Sequence, residues 1–187
     1  MKPVSRDEIV DYVTWTEQRP TARPGILAAK ELRRIHVDHY FTFLFENRDT
    51  IRYQVQEMMR VERIVKESEI VHELTTYNDL LGGPGELGCT LLIGLDDEAQ
   101  RDEALGRWLG LLEHIYLRMK DGSKLRASWD PRQVGSDRLS AVQYLRFAAG
   151  DLAPTGIGID FTDPLIGAET TLSGPQRAAL QADLSGD

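Results

Sequence analysis

A chain of 187 residues and 21.1 kDa, 41% hydrophobic and 28% charged, is long enough to bury one ordinary core, so residues 1–187 are read as a single domain. Its formal net charge of −8 and pI near 5.1 repel phosphate backbones and anionic lipid, which argues against nucleic-acid partners. The single Cys89 closes no internal disulfide, no charged-then-apolar leader opens the chain, and no apolar run nears the roughly 18 residues of a spanning helix, so a cytoplasmic protein without membrane insertion is expected.

Ser5-Arg6-Asp7-Glu8 is a capping box, in which the Ser hydroxyl and the Glu carboxylate answer exposed amides, and it predicts a short helix through Ile9, Val10 and Val13. Pro20 and Pro24-Gly25 are expected to interrupt it, and a second helix from Ile26 to Ile35 then turns Ile26, Leu27, Leu32 and Ile35 to the core. In Tyr40 to Glu46 the rings of Phe41, Phe43 and Phe45 alternate onto one face, the pattern of a half-buried strand. Asn47 or Asp49 caps a helix running to about Lys66, with an apolar stripe of Ile51, Val55, Met58, Met59 and Val65. A further helix, Glu67 to Leu80, ends at the Gly82-Gly83-Pro84-Gly85 loop.

Thr90 to Leu95 reads as a short strand, and Asp96 or Asp97 caps an amphipathic helix carrying Ala104, Leu105, Trp108 and Leu109. Asp121-Gly122 predicts a type I′ turn joining strands Ile115 to Lys120 and Ser123 to Trp129. Ser140 to Phe147 and Gly156 to Phe161 are further strands, and the box Ser173-Gly174-Pro175-Gln176 opens a terminal helix. Helices gathered early and hairpin-joined strands late predict an α+β fold, a mostly antiparallel sheet with helices packed on it.

Candidate chemistry is sparse. His36-Val37-Asp38-His39 has the residue types of a metal site, but on a strand the two imidazoles point to opposite faces, so no metal is assigned. Glu69-Ile70-Val71-His72 matches one Glu-x-x-His element of a di-iron bundle, which needs a second copy that Glu113-His114 does not supply. Cys89 has no neighbouring cation to depress its pKa and reads as a small core residue. Neither Gly-x-Ser-x-Gly nor a phosphate loop is present, because the Gly82 to Gly85 turn lacks the following Lys-Ser/Thr.

The densest stretch of directional hydrogen-bonding groups runs from Glu46 to Arg63, at a strand end and in the first turns of a helix, where free amides favour a bound anion. The ligand-binding candidates are therefore His36, His39, Glu46, Asn47, Arg52, Gln54 and Glu57, against the plainer reading of a capping and ion-pair network. Ten cations between Arg19 and Lys66 also crowd the first third, whereas Asp96, Asp97, Glu98, Asp102 and Glu103 form an acidic block.

Arg34-Ile35-His36 with His39, Phe45-Glu46-Asn47-Arg48-Asp49-Thr50, Arg52-Tyr53-Gln54, Gln56-Glu57-Met58 and Glu62-Arg63 together resemble a bacterial family known as domain of unknown function 3501. The likeness continues through Tyr77-Asn78, Thr90 to Ile93, Glu113-His114, Ser140-Ala141-Val142, Leu145-Arg146-Phe147 and Thr171-Leu172-Ser173, nearly the whole chain. The resemblance implies a redox or oxidative-stress setting beside rubrerythrin-like and iron–sulfur oxidoreductase proteins, and it carries no catalytic residue or cofactor with it. Two readings follow. One is a non-catalytic accessory protein that docks through the basic early helices; the other is an enzyme or sensor that holds a metal or anion in the His36/His39 and Glu46 to Glu57 region.

Overall fold

A computed structural model describes residues 1–162 and 166–186. The Ser5 box forms only a single 3-10 turn over Arg6–Glu8, and the first helix, α1 (Tyr12–Glu31), is capped instead by Asp11, whose carboxylate accepts from the amides of Val13 and Thr14. The expected break at Pro20 and Pro24 does not occur. Both prolines are exposed and lie four residues apart on one side of α1, so the carbonyls they leave unpaired face water, which satisfies them.

The predicted helix over Ile26 to Ile35 is also corrected. Arg34–Val37 is a strand, β1, in which Ile35 and Val37 are buried and Arg34 and His36 exposed, while Leu27 and Leu32 stay at the surface. A turn through Asp38, held at a φ of 57°, leads into β2 (Phe41–Phe45). There the three phenylalanines alternate inward as expected, each no more than 1% exposed. The chain continues through α2 (Arg48–Glu62), α3 (Glu67–Asn78), β3 (Leu87–Ile93) and α4 (Glu98–Arg107).

After a 3-10 turn over Leu111–His114 come β4 (Ile115–Arg118) and β5 (Lys124–Arg126). Their connection is a three-residue loop rather than the two-residue type I′ turn. Gly122 takes the positive φ of 85° alone, and the Met119 amide donates to the Ser123 carbonyl at 3.0 Å. The remaining elements are β6 (Val142–Phe147), β7 (Gly156–Ile159), β8 (Ala168–Thr171) and α5 (Gly174–Ser185); β8 has no counterpart in the sequence reading.

The strands make two antiparallel four-stranded sheets, sheet A in the order β1-β2-β3-β6 and sheet B in the order β5-β4-β7-β8. The fold is α+β. The inner faces bury one core, with Phe41, Phe43, Phe45 and Leu91 from sheet A meeting Leu117 and Ile157 from sheet B, and Trp108 and Leu180 among the side chains that complete it. The sheets also touch at their margins: Ser128 bridges to Arg146, and the Thr170 hydroxyl donates to the His36 carbonyl at 2.7 Å. A separate apolar cluster lies among the helices, where Ile51, Val55 and Met59 of α2 meet Ile70 and Leu74 of α3 and the N-terminal Val4 and Ile9.

The loop after α3 folds back onto the start of β3, which requires a residue without a side chain at Gly88. A Cβ there would stand 1.9 Å from the Leu80 carbonyl oxygen and 2.9 Å from the Gly82 nitrogen, and both are backbone atoms that cannot step aside cheaply. Gly88→Ala is expected to lower stability by about 1–3 kcal/mol in urea unfolding. A variant as stable as the parent would show that this close approach is not present in solution.

Candidate functional site

Of the polar side chains that the fold buries, five join through Asn47 into one network where β2 hands over to α2. Arg33, Glu46, Thr50, Thr90 and Asp183 are each 9% exposed or less. Glu46 continues the outward set of β2 after Thr42 and Leu44. Its carboxylate accepts from the Thr50 hydroxyl at 2.6 Å and from the Thr90 hydroxyl at 3.0 Å, so the first turn of α2 is tied across to β3. Asn47 and Thr50 cap α2 reciprocally, each side chain bonding the other's backbone amide at 2.9 Å.

The Asn47 amide group also reaches Asp183 at 3.5 Å. Asp183, brought by α5, receives both Nε and Nη2 of Arg33 at 2.7 Å, a forked pair closed off from water. Lys30 stands beside this network, its ammonium 5.1 Å from the centre of the Tyr53 ring. Burial pushes the Lys30 amine below its ordinary pKa; Glu46 opposes that shift, and the nearby Arg34 adds to it. On the inner side of β3 burial raises the Cys89 thiol well above its usual range, and the Glu46 charge adds to this, so Cys89 stays a neutral thiol.

The other candidates lie elsewhere. His36 is exposed on β1, its Nδ1 3.0 Å from the Thr42 hydroxyl, and the side chain of His39 is 91% exposed in the next turn; both lie at the end of the β1–β2 hairpin opposite Glu46. Arg52 pairs with Asp49 at 3.1 Å, and Gln54 bonds the Tyr77 hydroxyl. Glu57 joins α2 to α1 by accepting from Trp15 Nε1 at 2.8 Å and from Arg19 Nε at 2.8 and 3.0 Å, with Arg60 at 3.4 Å. Burial alone would raise its carboxyl, but these donors outweigh it and hold Glu57 at about 2. The structure therefore brings together Glu46 and Asn47, and not the seven as one cleft. Among the described residues no group of three or more His, Cys, Asp or Glu is placed to hold a metal ion.

Sequence reasoning missed Lys30, Arg33, Thr90 and Asp183. Two of them carried a signal. Arg33 shares the alternation of Ile35 and Val37, and Asp183 falls on the same helical stripe as Leu180 and Leu184, so each is a charge on an inward face.

A second feature is open to solvent. On the outer side of sheet A, the face that Glu46 also occupies, Leu92 is 40%, Val142 38% and Tyr144 47% exposed, and Leu92 stands between Thr42 and Val142 in the strand register. Beside β6 a groove of about 770 Å³ is lined by Tyr144 and Arg146 together with Asp79, Gln133 and the Asp130–Arg132 ion pair, and a cavity of about 650 Å³ that shares Trp129 with it is lined by Leu109, Leu112, Val134 and Glu113.

Residues 3–184 match the family described as protein of unknown function (DUF3501). The chain belongs to that family. This DUF3501 member is also similar to a novel protein of unknown function from Burkholderia pseudomallei K96243, known from a crystal structure, with 30% identity, a TM-score of 0.85, and coverage of 97% of this chain and 98% of that one. No functionally curated protein matches the sequence.

The buried pair yields a direct energetic expectation for this family member. Asp183→Leu strands the Arg33 guanidinium and should cost about 3–5 kcal/mol, whereas the double change Arg33→Met with Asp183→Leu should recover most of that loss. Urea unfolding of both variants checks it, and equal losses in the single and double variants would contradict the buried pair.

Proposed function

We propose that the protein is a non-catalytic docking protein that covers its open sheet A face with an acidic, partly apolar surface of a redox partner. The family resemblance directs attention to rubrerythrin-like and iron–sulfur oxidoreductase proteins as those partners. One observation carries the reading: Leu92, Val142 and Tyr144 form an exposed apolar row on the sheet A face that also carries Arg34 and Arg146. The outward positions of β1, β2, β3 and β6 hold Arg34, His36 and Arg146, and the carboxylate that continues this face beyond β2, Glu46, is buried against Thr50 and Thr90, in a chain whose net charge is −8. An apolar patch with a charge of one sign at its rim suits a partner of the opposite sign.

The early helices are less suited to that task than their composition suggests. Arg6 pairs with Glu67, Arg19 and Arg60 with Glu57, Arg33 with Asp183, Arg48 with Glu8, Arg52 with Asp49 and Lys66 with Glu69. Most of the basic first third is thus neutralised within the fold, and the docking surface moves from the helices to the sheet.

Mixing the purified protein with a purified rubrerythrin-like protein or iron–sulfur oxidoreductase from the same bacterium tests the reading by titration calorimetry. A complex is expected that Leu92→Glu weakens by about tenfold or more, that added salt weakens further, and that Arg52→Ala on the helical side leaves unchanged. No complex with either protein, or one indifferent to Leu92→Glu, would contradict the proposal.

A further inference from the structure

Beyond a surface contact, we infer that the partner joins sheet A as a fifth strand along the outer edge of β6, replacing the segment that now shields it; this rests on the docking reading above. On one side β6 pairs with β3 along its whole length. On the other side the outward-aimed backbone groups belong to Val142, Tyr144 and Arg146, and only Arg146 has a strand-like partner. Its amide and carbonyl exchange bonds of 2.8 Å with the backbone of Ser128.

One step along, the ladder is imitated by a side chain. Gln133 donates from Nε2 to the Tyr144 carbonyl at 2.9 Å and accepts at Oε1 from the Tyr144 amide at 2.8 Å. At Val142 the amide finds only the Ser140 hydroxyl, at 3.2 Å. A single amide side chain holding two backbone groups shields an edge that would otherwise recruit any extended chain. It also leaves that edge exchangeable. An incoming strand offers Tyr144 the same two bonds from its backbone, releases the long Gln133 side chain to solvent, and can extend the pairing to Val142.

The surroundings give that strand its chemistry. The shielding segment, Ser128 to Gly135, forms no strand, only a 3-10 turn over Pro131–Gln133, and the two cavities meet at its Ser128 and Trp129. Side chains on a strand alternate between faces. One set of the added strand would lie beside Val142, Tyr144 and Arg146 on the outer face, where an acidic group can meet the Arg146 guanidinium, which bonds the Asp79 backbone carbonyl, while Arg132 is already held by Asp130. The other set would enter the space beside Trp129, whose far side is lined by Leu109, Leu112 and Val134 and favours apolar groups. The occupant is an extended segment of alternating acidic and apolar residues.

The test uses the full chain and the peptide acetyl-(Glu-Val)4-amide, with a copy N-methylated at alternate residues and acetyl-(Lys-Val)4-amide as controls. The Glu-Val peptide should bind, its N-methylated copy about tenfold more weakly and the Lys-Val peptide not measurably, because edge pairing needs the peptide amides. Gln133→Ala, with its fold checked by circular dichroism, should bind the Glu-Val peptide at least about threefold more tightly than the parent. No binding of the Glu-Val peptide, equal binding of the methylated copy, or unchanged affinity in Gln133→Ala would overturn strand addition. If Leu92→Glu still disrupts the redox-protein complex in that case, docking stands and only its mode is wrong; if Leu92→Glu is silent too, the docking reading itself has failed.

Discussion

A carboxylate taken out of water has to be answered by donors, and the way Glu46 is answered decides where the helices sit. Its donors are the hydroxyls of Thr50, in the first turn of α2, and Thr90, on the adjacent strand β3. Both bonds form only if α2 begins directly over sheet A at that end. From there the reciprocal Asn47–Thr50 cap aims α2 toward α3, and Asp183 draws α5 against the same corner through Arg33. The corner that looked like a ligand site in the sequence is a junction of four elements, and fastening the helical layer at one end of sheet A leaves the other end uncovered.

The two sheets treat their outer faces differently. On sheet B, Tyr116 lies across the glycines of β7, where a Cβ at Gly158 would stand 2.7 Å from its hydroxyl, and Arg118, Lys124 and Arg126 surround the ring at 4.2–5.4 Å. Those cations are themselves answered by Asp160 and Glu169, so that face is complete as it stands. Sheet A has Arg34 and Arg146 beside an apolar row, and the carboxylate that ends this outward set, Glu46, is buried. In a chain with an overall negative charge, that apolar row with arginines beside it is the surface to which the docking reading assigns its partner.

What could be read in the sequence was what local pattern encodes. The alternation of Phe41, Phe43 and Phe45 placed β2, and Ser173 with Gln176 placed α5, because period and caps are short-range signals. The prolines misled because proline weakens a helix interior without always ending it, and the packing of α1 against α2 that keeps this helix intact is not written in the local sequence. Strand β1 was hidden because Arg34 to Val37 is as compatible with the end of a helix as with a strand, and only pairing to β2 decides it. The Arg33–Asp183 pair joins residues 150 apart, and β8 and the Gln133 contact with β6 likewise exist only once distant segments meet.

Hydrogen–deuterium exchange on the complex with a rubrerythrin-like or iron–sulfur oxidoreductase partner tests the account most directly, because it reads the covered surface without any substitution. Slowed exchange confined to peptides spanning residues 90–93 and 128–146, with α1 to α3 unchanged, is the result expected if sheet A is the docking face. Protection centred on α1 to α3, or none at all, would contradict it.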